Sequence, residues 1–145
     1  MNMRRYMGWI GLLGVLLVLG GGLLWLKGRA PTKEEIELAK VTGFEDPQEL
    51  RRVMELMDNK PGRRFQPSDW RLMERYAGGS SKAAGGVAMV LATLDTEEEA
   101  AHAVPIAVAL KAHHPADLVT QDLPQSWKEN GCPNASKELQ RRWRE

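Results

Sequence analysis

The pattern of hydrophobic and polar positions changes character at residue 26. From Gly8 to Leu26 no side chain is ionisable, and eleven of the nineteen residues are Leu, Ile or Val. As an α-helix the run is about 28 Å long, close to the thickness of a bilayer's hydrocarbon core. Each Leu, Ile or Val near the centre of a spanning helix favours insertion by roughly 0.3 to 0.6 kcal/mol, and no charge opposes them. Trp9 and Trp25 lie near the two ends, with Arg4, Arg5 and Tyr6 before the run and Lys27 and Arg29 after it. That girdle suits the two interfaces between lipid and water. The pattern predicts a basic tail (1–7), a transmembrane helix (8–26), a juxtamembrane linker (27–31) and a helical soluble domain (32–145).

A cleaved secretory leader is the competing reading, because a basic start, an apolar run and a small residue at Ala30 also describe one. Lys27 and Arg29 crowd that site, Pro31 would become the first mature residue, and the run exceeds the roughly 7 to 15 residues of a leader's apolar region. A retained anchor through lipid is therefore expected. Translocating a short tail with two arginines and an amine is disfavoured, which places the amino terminus in the cytoplasm and the domain outside it. No Gly-x-x-x-Gly pair occurs in the span; Gly14 and Gly21 are its best same-face small pair.

Beyond the linker the period becomes helical. Thr32 with Glu35 and Thr96 with Glu99 have the spacing of capping boxes, and Asp46-Pro47 supplies a cap followed by proline at the first helical position. In residues 46–58, Leu50, Val53, Met54 and Met57 form one apolar stripe, with Arg51 and Arg52 on other faces. Residues 59–66 form a polar loop, and a helix carrying Trp70, Met73 and Tyr76 ends at Gly78-Gly79 in the left-handed conformation. Residues 82–94 and 96–113 form the interior, the second being apolar nearly all round and kinked or broken near 101–105 by Pro105. A short helix fits 116–121, a loop fits 123–134 because of Pro124, Gly131 and Pro133, and a last amphipathic helix fits 134–144. No segment longer than five residues alternates like a strand. The predicted class is all-α, either a compact multi-helix bundle or a short α-solenoid-like domain behind the anchor.

The short alanine-rich helices of residues 67–114, joined by tight turns and an aspartate turn at Asp95, resemble the hairpins of HEAT-like or related α-solenoid repeats, although no fixed period aligns one unit with the next. The resemblance implies a protein-interaction surface on stacked helices.

Charge then narrows the function. Without Arg4 and Arg5 the chain holds 18 Lys and Arg against 19 Asp and Glu, so it lacks the basic excess of a nucleic-acid binder. His102, His113, His114, Asp117 and Cys132 are ligand or catalytic residue types, but adjacent histidines on a helix diverge by about 100° and no His-x-x-x-His or Cys-x-x-Cys pair exists. His113 and His114 suit helix-end carbonyls, and His102 sits four residues after Glu98. Gly78-Gly79-Ser80-Ser81-Lys82 and Gly85-Gly86 lack the order of a phosphate-binding loop. Asn134-Ala135-Ser136 has the form of a glycosylation sequon. Arg51, Arg52, Arg63, Arg64, Arg71 and Arg75 form a basic cluster interleaved with Glu55, Asp58, Asp69 and Glu74, a salt-bridged surface or a site for an acidic partner or lipid. Trp70 and Trp143 fall on buried stripes, whereas Trp127, in a loop-like stretch, is the better interface anchor. With no assembled catalytic set and no cofactor motif, the expected role is a membrane-anchored helical domain that binds a protein partner, as an adaptor or small subunit of a membrane assembly. The alternative is a tethered enzyme or ligand-binding domain using the His, Asp and Cys residues named above.

Overall fold

The structure, a computed structural model, describes residues 30–145. Within them the chain forms eight α-helices and no strand: α1 (Lys33–Thr42), α2 (Pro47–Met57), α3 (Pro67–Ala77), α4 (Ser81–Ala92), α5 (Glu97–His113), α6 (Leu118–Gln121), α7 (Leu123–Glu129) and α8 (Pro133–Arg144). The all-α class is as expected. Among the described residues no helix is long and apolar enough to cross a membrane. The span anticipated at 8–26, with Trp9, Gly14, Gly21 and Trp25, lies outside the described residues.

The anticipated caps start their helices. Thr32 Oγ1 accepts from the Glu35 N–H at 3.3 Å, Asp46 Oδ1 from Gln48 at 2.8 Å, and Thr96 Oγ1 from Glu99 at 3.2 Å. The two Thr boxes lack their return half, because both glutamates reach elsewhere: Glu35 turns inward to Arg51, and Glu99 lies toward Arg63. A return bond forms instead at α3, where Asp69 Oδ2 accepts from the Gln66 N–H at 2.7 Å. Gly78 ends α3 with φ −97°, so the left-handed turn expected there is absent. Gly43, which ends α1, does have a positive φ of 84°, and a Cβ there would collide with Ser80 Oγ.

α4 occupies the centre. Ala83 through Ala88, Val90 and Leu91 are all buried, and the helix packs against α2, α3, α5, α6 and α7. Enclosure on so many sides requires small side chains, since neighbouring helix axes approach only as closely as the residues between them allow. Gly86 shows the fit: Val53 Cγ1 lies 3.5 Å, and Met57 Cε and Phe44 Cζ 3.8 Å, from where a Cβ would sit. The sequence pattern placed both α4 and α5 in the interior, with α5 apolar nearly all round, but α5 exposes Ala101, His102, Pro105 and Ala112.

α5 also runs unbroken through Pro105. Proline removes the donor that would reach the Ala101 carbonyl. Both residues face solvent, so water can satisfy that carbonyl and the helix is not broken at 101–105. A second correction concerns 123–134, expected to be loop. Pro124 stands in the first turn of α7, where a missing N–H costs nothing because first-turn donors have no intrahelical acceptor. The turn after α7 closes with the Cys132 N–H donating to the Trp127 carbonyl at 2.7 Å. α8 then packs most extensively on α5 and α7, inserting Ala135, Ser136 and Leu139.

Two substitutions test the central packing by denaturant unfolding followed by circular dichroism. Gly86→Ala meets only ordinary contacts and gains helix propensity, so it is neutral or stabilising by about 0.5–1 kcal/mol. Gly86→Leu overfills the same space and costs about 1–3 kcal/mol.

Candidate functional site

The six arginines of the expected basic cluster do not form one surface. Arg51 is 5% exposed and its Nη2 donates to Glu35 Oε2 at 2.5 Å, which corrects its assignment to an outer face of α2. Arg52 forks onto Asp69, with Nε and Nη2 each donating at 2.7 Å, and also donates to Glu55 Oε2 at 3.0 Å. Arg63 points inward and donates to the Leu56 carbonyl at 2.9 Å and Thr93 Oγ1 at 2.6 Å. Arg75 pairs with Glu49 and lies over the Tyr76 ring. Only the side chains of Arg64 and Arg71 remain as exposed cations with no acid partner. Internal pairing has consumed the basic field.

Trp127 is also displaced from the role its sequence setting suggested. It is fully buried, and its indole N–H donates to the Leu91 carbonyl at 2.7 Å. It locks α7 against the end of α4 and offers no surface to a partner. Trp70 is half-buried rather than a core residue, while Trp143 packs partly buried beneath Lys111 Nζ, 4.4 Å from its ring centroid.

The chemistry-bearing residues occupy separate neighbourhoods. His102 is exposed and stacks on Trp70, with centroids 4.6 Å apart. His113 lies over Gly78, and His114 Nε2 is 2.9 Å from the Gly79 carbonyl, so these rings brace the α3–α4 connection rather than the end of α5. Asp117 Oδ2 accepts from Thr120 Oγ1 at 2.7 Å. His113, His114 and Asp117 do line one shallow hollow with Ser81 and Pro115, but His102 and Cys132 are not part of it. Cys132 is fully buried beside the Leu94 carbonyl. Burial, and then the negative charges of Glu97, Asp95 and Glu99, push its thiol up from its ordinary value, which makes it a poor nucleophile. Among the described residues no group of three or more His, Cys, Asp or Glu could hold a metal ion.

Two clefts flank the first half of α5. Between α5 and α8 lies one of about 530 Å³, with Ala101, Val104, Pro105 and Ala135 as floor and Glu97, Glu98, Glu138 and Arg142 as rim. Its shallow floor follows from Ala101 and Pro105 lying one turn apart on the solvent side of α5. Glu97 has a structural duty in the rim: its two carboxylate oxygens accept from the Asn134 and Ala135 N–H groups at 2.9 and 3.0 Å, capping α8. Glu98 carries no such bond and faces water.

The second cleft, about 470 Å³, is lined by Arg63, Arg64, Phe65, Gln66, Trp70, Glu98, Glu99 and His102 among others. One wall is a stack. Arg63 Cζ lies 4.9 Å from the Phe65 centroid, Phe65 lies 4.7 Å from Trp70 at 20°, and Trp70 lies against His102. The indole thus meets a second ring on two sides of the row, with His102 tilted at 35° and exposed. The loop-borne Phe65 was the member that sequence periodicity could not place.

No family model, curated protein or solved structure matches this chain. Its own geometry has to carry the functional reading.

Two carboxylates near these clefts should respond to pH with opposite sign. Burial opposes the charge on Asp69, but the Arg52 bonds and the Gln66 N–H outweigh it and hold the carboxyl below its ordinary value of 3.8. Its stabilisation is complete above about pH 4 and is lost as pH falls through the depressed folded-state value. For Glu99, burial dominates and raises the carboxyl, with Asp95 and Glu98 adding to it and Arg63 opposing. Protonation of Glu99 therefore favours the fold, and its effect grows as pH falls. Asp69→Asn is expected to lose about 1–3 kcal/mol at pH 7 by leaving Arg52 short of its acceptor, whereas Glu99→Gln is neutral or stabilising. Urea unfolding at pH 7, 4 and 2.5 separates the two, the Glu99→Gln difference fading by pH 4 and the Asp69→Asn difference shrinking only below it.

Proposed function

We propose that this protein is a membrane-anchored, protein-binding helical domain, an adaptor or small subunit of a membrane-associated assembly. The observation that carries this reading is the open cleft between α5 and α8, which joins an apolar floor to a charged rim. Such a surface suits a side chain or short helix from another protein, with apolar contact in the middle and polar groups around it. The dispersal of His102, Cys132 and the His113–His114–Asp117 group, and the unreactive setting of Cys132, weigh against the enzyme alternative. A nearly balanced charge weighs against nucleic acid as partner, with sixteen Lys and Arg against nineteen Asp and Glu from residue 30 onward. The uncharged run at 8–26 and its Trp and Arg flanks support the anchor. The helical hairpins of 67–114 keep the likeness to solenoid repeats within this proposal, where it points to the same role.

The test is photo-crosslinking in intact membranes, with a reactive group at Arg142 on the rim of the α5–α8 cleft, followed by identification of the captured protein. Ala101→Trp fills the floor from its solvent side without entering the core, so it is expected to reduce capture by about tenfold or more while leaving unfolding unchanged. Undiminished capture would move the partner to another face. Alkaline carbonate extraction and protease protection on sealed vesicles check the anchor and its orientation; the domain is expected to stay with the membrane on the side opposite the amino terminus.

A further inference from the structure

α1 carries two of the three large apolar side chains that the described residues leave exposed: Ile36 at 40% and Val41 at 61%, the third being Leu118 at 39%. Its rotation about its own axis is fixed by what it buries. Glu35, Ala39 and Thr42 face α2, and the Glu35–Arg51 pair, 2% and 5% exposed, cannot turn outward without separating a desolvated charge from its partner. At 100° per residue the outward arc is then, in angular order, Ile36, Lys40, Lys33, Glu37 and Val41. All five are exposed.

Where this helix sits in the chain says what covers that arc. The apolar run ends at Leu26, and only residues 27–32 separate it from Lys33. Fully extended, that connection spans at most about 25 Å. α1 is itself about 15 Å long, so the first element of the domain is held within a linker's length of the headgroups if 8–26 spans the bilayer.

We infer that α1 lies along the membrane surface at headgroup depth, with Ile36 and Val41 in the interfacial layer at the two edges of the facing arc and Lys40, Lys33 and Glu37 between them among the headgroups. This rests on the anchor reading. Glu34 and Glu37 balance Lys33 and Lys40 on the helix's outer side, while Glu35 is already matched by Arg51. Attraction to anionic lipid therefore contributes little, and apolar contact together with the tether sets the attachment. The contact should form on zwitterionic bilayers and resist salt.

The experiment uses the full chain in phosphatidylcholine vesicles, with a polarity-sensitive fluorophore on Ile36→Cys, Val41→Cys, Lys40→Cys or, as a distant control, Glu74→Cys; the buried Cys132 leaves the dye to the new thiol. Labels at 36 and 41 are expected to be blue-shifted and quenched by lipids carrying quenchers near the headgroups, unchanged by 0.5 M salt (roughly a 4 Å screening length), while the label at 74 is quenched by aqueous iodide. Because labelling replaces the apolar residues, a second arm places the dye at Lys40→Cys. Adding Ile36→Asp and Val41→Asp there is expected to lower lipid quenching at least twofold without releasing the chain. A chain that resists carbonate extraction but shows labels at 36 and 41 as open to iodide as the label at 74 overturns the inference and leaves the anchor standing. Extraction of the chain by carbonate overturns both. A blue shift that appears only at protein densities where copies crosslink assigns the arc to a second copy and overturns the lipid contact.

Discussion

A helix can be surrounded by other helices only if its own side chains leave them room, and that steric condition organises this domain. Ala83, Ala84, Gly85, Gly86 and Ala88 satisfy it in α4. Around Gly86 the larger groups come from outside, Val53, Met57 and Phe44, whereas toward its carboxyl end α4 supplies Val87, Val90 and Leu91 itself and meets Trp127. Space is thus concentrated in the first half of the helix and bulk in the second. The enclosing helices can then spend their remaining surface on clefts, caps and charge, and the open faces of the domain belong to α1, α5 and α8.

Polar groups follow the same division. Arg51, Arg52, Arg63 and Arg75 each cross from one element to another, to Glu35 on α1, Asp69 on α3, Thr93 after α4, and Glu49 on α2. Tyr76 extends the last of these, donating to Glu49 Oε1 at 2.8 Å and accepting from the Glu45 N–H at 2.9 Å. Bonds of this kind specify geometry more than they add free energy, since the desolvation they require offsets much of the attraction. They hold α1 to α2, α2 to α3, and the α2–α3 connection to the end of α4. They also leave the surface beside the clefts with little net charge, distinguished by its shape and by a few unpaired groups such as Glu98 and Arg64.

Much of the architecture was legible in the sequence where the signal was local. Thr32, Asp46 and Thr96 mark helix starts because a cap and its amide lie within three residues, and the stripe Leu50, Val53 and Met54 is buried as its spacing requires. The failures concern residues whose meaning depends on distant partners. Arg51 looks like a surface residue until Glu35, sixteen residues earlier, is brought beside it. Pro124 is a breaker or a helix starter depending on whether the chain after it has something to pack on, and Trp127 is an exposed anchor or a core residue for the same reason. Alanine-rich α4 and α5 cannot be ranked for burial from composition, because the ranking depends on how many helices each meets. The α5–α8 cleft had no sequence signal at all: Ala101 and Ala135 become neighbours only when the last helix docks. The run at 8–26 is the reverse case, since its chemistry is plain in the sequence and its fold lies outside the described residues.

Arg63-Arg64 has the look of a cutting site for trypsin-like proteases, two cations in succession on a surface connection. Yet the Arg63 side chain is only 7% exposed, held between the Leu56 carbonyl and Thr93. A protease that must draw that guanidinium into its own specificity pocket would first have to prise residues 59–66 off the body of the domain. The connection between α2 and α3 is in this sense a brace, and resistance to digestion at that bond would report the integrity of the whole bundle.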